Sequence, residues 1–190
     1  MKIFNSKKGA MEMSMGTIVT IVLLVSVLVM GIFFIQRISK SATGVIDLTD
    51  QQLRNEINKL FSEETKLSVY PGTRLVEIKQ ETTDGVGFGI RNLLTGQAGT
   101  KTFSYEVVVA DSDADLNNKC GIDKTTALSW IVTGKSETSI PIPSGDYSVQ
   151  KVLFEIPTGS PLCTIRYRVN VNAEGTAYAT DFFDIKIKAK

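Results

Sequence analysis

Few side chains in this chain could do chemistry, and the commonest catalytic one is missing. Its 190 residues include no histidine, which removes the usual general base and the usual triad partner of a nucleophile. No phosphate-binding loop or dinucleotide fingerprint occurs. Asp111, Asp113 and Asp115 open like an oxygen-rich calcium loop, but Leu116 stands where such a loop needs glycine and Ile122 where it needs a bidentate glutamate. A solvated loop is expected there, with no metal and no cofactor. Cys120 and Cys163 are the only cysteines and lack CxxC spacing, so zinc is not expected. They read either as a disulfide in an oxidising compartment or as two buried thiols. With 21 basic against 20 acidic residues, no strong field selects nucleic acid. These absences point away from an enzyme.

The elements that carry these residues change character along the chain. From Met15 to Ile35 no charged residue occurs, and as a helix that run extends roughly 30 Å, the hydrocarbon thickness of a bilayer. A single transmembrane helix over residues 10–36 is expected, apolar on every face. A cleaved secretory signal fits less well, because its apolar region covers only about 7–15 residues. Lys2, Lys7 and Lys8 precede the run and Arg37 and Lys40 follow it, which places the N-terminus in the cytoplasm and the rest outside the cell. Residues 37–64 read as a polar linker and an amphipathic helix. Thr49 and Gln52 have capping-box spacing, and Leu53, Ile57, Leu60 and Phe61 form one apolar stripe. That stripe packs on the chain's own domain, on a lipid surface or on a neighbouring subunit.

Residues 65–190 alternate as strands with one wet face. The strands expected are Arg74–Lys79, Val86–Arg91, Phe103–Val107, Leu128–Val132, Thr138–Ile142, Val149–Ile156, Thr164–Val171 and Tyr178–Lys188. Turns are expected at Asp84-Gly85, Thr95-Gly96 and Ser144-Gly145-Asp146, and Trp130 is assigned to the core. About eight strands at this spacing suggest an antiparallel β-sandwich. The pattern is similar to immunoglobulin-like stalk and adhesion domains. The fold class is therefore mainly β, with a transmembrane helix and an amphipathic helix ahead of the sandwich.

Just upstream of the apolar run stands Lys7-Lys8-Gly9-Ala10-Met11-Glu12. This resembles the class III leader of archaeal type IV pilin-like proteins and archaellins, in which a basic leader is cut off ahead of the hydrophobic helix. The resemblance covers about the first third of the chain. It implies that residues 1–9 are a leader, that Lys7, Lys8, Gly9 and Ala10 form the processing site, and that a prepilin-peptidase-like protease cuts between Gly9 and Ala10. Two departures stand beside it. Glu12 falls third after the cut, where bacterial pilins carry glutamate fifth, and the chain has no Asn-x-Ser/Thr sequon. The resemblance implies a structural subunit of a pilus-like or archaellum-like surface filament, polymerising as a homo-oligomer through the N-terminal helix. The alternative is a membrane-anchored surface adhesion or binding protein that does not polymerise.

Overall fold

The computed structural model describes the backbone of residues 8–40, 44–94 and 99–190, and their side chains apart from those of 8–15 and 33–40. The chain divides into two compact units, Met1–Ala42 and Thr43–Lys190.

The first unit contains one helix, α1 (Lys8–Lys40), of 33 residues. It is longer than the expected 10–36, and at 1.5 Å per residue it measures about 50 Å. Its interior hydroxyls are satisfied locally: Thr20 Oγ1 donates to the Gly16 carbonyl and Ser26 Oγ to the Val22 carbonyl, each at 2.7 Å. The described side chains, 16–32, are all exposed. Among the described residues no helix is long and apolar enough to cross a membrane.

The second unit is mainly β, in two sheets with a few short helices. A 3-10 turn, Val45–Asp47, leads into α2 (Asp50–Leu60). The capping box is present in both directions: the Gln52 N–H donates to Thr49 Oγ1 at 3.3 Å, and the Thr49 N–H donates to Gln52 Oε1 at 2.9 Å. Then come β1 (Leu67–Tyr70), β2 (Leu75–Lys79), β3 (Thr83–Arg91), β4 (Thr100–Val109), α3 (Asp113–Cys120), α4 (Lys124–Ser129) and β5 (Ile131–Thr133). The chain ends with β6 (Ser136–Pro143), β7 (Tyr147–Glu155), β8 (Thr164–Ala173) and β9 (Thr176–Lys188). One sheet has the order β1-β3-β7-β5 and the other β2-β9-β8-β4-β6. Between them lie Phe88, Phe103, Phe154, Tyr167 and Phe183, all fully buried.

Three expectations are corrected. The sandwich is not wholly antiparallel, because β2 pairs with β9 in parallel, Leu75 opposite Asp184 through Lys79 opposite Lys188. Leu128 to Val132 is not one strand. Asp123 caps a helix there, its Oδ1 accepting the Thr126 N–H at 2.8 Å, and the chain turns extended only at Ile131. Trp130 is nonetheless buried, whereas Val132 faces out. Asp84-Gly85 is not a turn but part of β3, paired with Phe154 and Leu153 of β7. The expected turn at Thr95-Gly96 lies outside the described residues.

Candidate functional site

Cys120 ends α3 and Cys163 directly precedes β8, and the two are joined as a disulfide with Cα atoms 5.6 Å apart. Local chemistry sets up this meeting. Ser112 caps α3 by accepting the Asp115 N–H at 3.1 Å, and Gly121 stops the helix in the left-handed conformation. Asp111 then ties the helix to the sheet, accepting from the Arg166 N–H at 3.0 Å and from Lys119 Nζ at 3.3 Å. The three aspartates therefore do not converge. Asp111 is engaged as described, Asp113 pairs with Lys124 at 3.7 Å, and Asp115 accepts from the Ser112 hydroxyl. Among the described residues no group of three metal-ligating side chains forms.

The stripe on α2 is docked on its own domain. Leu53 and Ile57 are fully buried in a small cluster with Val45, joined by Phe61. The sheet admits them because β3 presents glycine beneath each: a Cβ on Gly87 would stand 2.6 Å from Leu53 Cδ1, and one on Gly89 would stand 2.5 Å from Ile57 Cγ2. Leu60 is corrected to a rim position, being 37% exposed, and Phe61 is the residue that ends the helix. Gly89→Ala should cost about 1–3 kcal/mol by overpacking this seam. The expected signature is faster amide hydrogen exchange across Leu53–Leu60 with the β3–β7 ladder still protected. Unchanged exchange in α2 would refute the close approach.

A carboxylate that the sequence pattern hides fastens the start of this unit. Asp84 on β3 accepts backbone N–H groups from Gly85, Val45 and Ile46, and burial pushes its carboxyl above the ordinary aspartate range. The outer face of the five-stranded sheet carries a second hidden feature. Phe182 lies between two guanidinium groups, Arg166 at 4.7 Å and Arg74 at 5.3 Å from its ring centre. Arg166 makes a forked pair with Asp184 at 2.8 and 2.9 Å, and Arg74 binds Asp181 at 2.9 Å. These Arg–Asp pairs hold the guanidinium planes in place. Arg166 and Phe182 stand out only as alternating outward positions; Arg74 joins them from the turn before β2.

Of the expected processing residues, Lys7 lies outside the described residues. Lys8, Gly9 and Ala10 form the first turn of α1, with their side chains not described.

Neither a protein-family model nor a curated protein matches the sequence. Solved structures show remote likeness. A CARDB domain of Pyrococcus furiosus in complex with di-metal ions is 13% identical, with a TM-score of 0.41, over 68% of this chain and 97% of that one. A Niemann-Pick type C2 protein from Japanese carpenter ant is 12% identical, with a TM-score of 0.35, over 65% of this chain and 90% of that one. An alkylpurine DNA glycosylase of Pseudomonas fluorescens, AlkC, is 10% identical, with a TM-score of 0.32, over 71% and 34% of the two chains. None of these likenesses transfers an activity to this chain.

Proposed function

We propose that this chain is a structural subunit of a pilus-like or archaellum-like surface filament, held first in the membrane by its N-terminal helix and then polymerising through it. The observation that supports this most is the girth of α1. Every large apolar side chain from Ile18 to Ile32 is at least 48% exposed, so the helix calls for apolar surroundings on all sides. Each such side chain gains about 1.5–3 kcal/mol when fully buried. Acyl chains supply those surroundings before assembly, and neighbouring copies of α1 supply them afterwards. The apolar run from Met15 to Ile35 lies wholly within this one helix.

The second unit suits an outer wall. The order β1-β3-β7 facing β9-β8-β4 matches strands A-B-E and G-F-C of immunoglobulin-type sandwiches. A disulfide fits such a domain standing outside the cell. Lys7 and Lys8 would be costly to bury in a close-packed helical core, so removal of the basic leader must precede assembly.

The intact mass of the native protein tests this reading. A chain beginning at Ala10 is expected, and Gly9→Val should retain residues 1–9, abolish filaments and leave the disulfide-bonded unit folded. Filaments built from uncut chains would overturn the proposal. An uncut chain that stays in the membrane without filaments would select the non-polymerising surface anchor instead.

A further inference from the structure

We propose that the groove at the open edge of the sandwich, floored by Tyr105, binds a neutral saccharide of one or two pyranose rings. The groove has a volume of about 530 Å³, within the range of roughly 300–1,000 Å³ that small-ligand sites occupy. It exists because the chain changes sheets there. The segment Thr133–Ser136 carries β5 of one sheet into β6 of the other, while the first turn of α2 forms the opposite wall.

Three observations define the ligand. First, Tyr105 is 4% exposed, with its ring edge-on to Phe88 at 4.8 Å. No described residue hydrogen-bonds its hydroxyl, and no fully enclosed side-chain oxygen lacks a partner. The hydroxyl therefore keeps its opening to the groove, which Tyr105 lines, and stands there ready to donate or accept. Burial, with the neighbouring Glu137 carboxylate, pushes its pKa up to about 12, so it is neutral at physiological pH.

Second, the charges that line the groove cancel. Asp50 and Glu137 oppose Arg54 and Lys151. Asp50 pairs with Lys151 at 2.7 Å, and the Arg54 guanidinium lies over the Tyr147 ring at 5.1 Å. No net field selects an anion or a cation. What remains is a set of hydrogen-bonding groups, Glu137, Gln150 and Ser136, beside the aliphatic side chains of Leu53 and Val149. A pyranose has the matching chemistry, with hydroxyls around its rim and C–H groups on its faces.

Third, the wall is fixed and partly uncovered. Gly134 has a φ of 77°, and a Cβ there would collide with the Lys151 carbonyl, which seats the crossover flush against β7. β5 pairs with β7 only at Phe154 and Leu153, so β7 from Tyr147 to Val152 has no strand on that side. Of that stretch, Val149, Gln150 and Lys151 line the groove. Hydroxyls of a small ligand can use them.

The test titrates the full chain, in a detergent without sugar headgroups, with methyl glucoside, galactoside and mannoside, N-acetylglucosamine, lactose and maltose, read by calorimetry. At least one should bind saturably in the millimolar range. Tyr105→Phe, which removes only the hydroxyl, should weaken that binding about tenfold, as one lost hydrogen bond implies. Glu137→Gln, at an exposed position, should do the same without touching the core, while Arg168→Ala on the outer sheet face should leave affinity unchanged. Failure of every sugar to saturate at tens of millimolar, equal binding by the Tyr105 and Glu137 variants, or displacement of the sugar by an unrelated extended peptide would overturn the proposal. None of these outcomes depends on leader processing or on filament formation.

Discussion

Replacing Cys120 and Cys163 together by serine is expected to lower the unfolding free energy of the β domain by about 4 kcal/mol. The bond closes a loop of 43 residues, and the chain-entropy account of such a loop gives that magnitude at 25 °C. A domain with a typical net stability of about 5–15 kcal/mol loses a large share of it. The loop holds α4 and β5 through β7, so its freedom matters to both sheets. Denaturant unfolding of the double variant, compared with reduced wild type, reads the effect. The two midpoints should coincide and lie well below that of the oxidised wild type. A shift worth less than about 1 kcal/mol would mean that Asp111 and its partners hold α3 without the covalent link.

Phe154→Ala should be as damaging, at about 3–5 kcal/mol. Phe154 on β7 is fully buried and reaches across to the opposite sheet, its ring centre 4.9 Å from Tyr167 and 6.0 Å from Phe183. Tyr167 also donates its hydroxyl to the Ala127 carbonyl at 2.9 Å, so the same cluster anchors α4. Phe154→Leu, which keeps most of the volume, should cost under about 1.5 kcal/mol. The contrast between the two variants in thermal or denaturant unfolding separates a packing role from a mere requirement for an apolar residue. Equal losses would contradict it.

Legibility in the sequence followed the range of the signal. The alternation in β8, inward at Ile165, Tyr167 and Val169 and outward at Arg166 and Arg168, is a property of consecutive residues and reads directly. So does the Thr49–Gln52 cap, which lies within four residues. The stripe on α2 was legible as a stripe, but its partner was not, because Gly87 and Gly89 create room that only the folded sheet defines. Leu128-Trp130-Val132 misled for a related reason: one helical residue, the residue that caps that helix and one strand residue fell into alternation by accident, and the Asp123 cap marked the helix. The parallel β2–β9 pair joins residues over a hundred positions apart, and nothing local announces it. Tyr105 looked like one more inward strand residue. Its open hydroxyl depends on how short β5 is, which alternation does not report.

That parallel pair also decides how the domain carries tension. β2 follows α2 and β1, and β9 runs almost to the last residue, with five residue pairs between the two strands in register. A pull applied at Leu75 and at Lys188 drags these strands past each other lengthwise, and their cross-strand hydrogen bonds share the load together instead of opening one by one. Forced unfolding is governed by the rate of crossing the unfolding barrier rather than by equilibrium stability. A domain pulled at those two points thus resists first through a short ladder at the edge of one sheet.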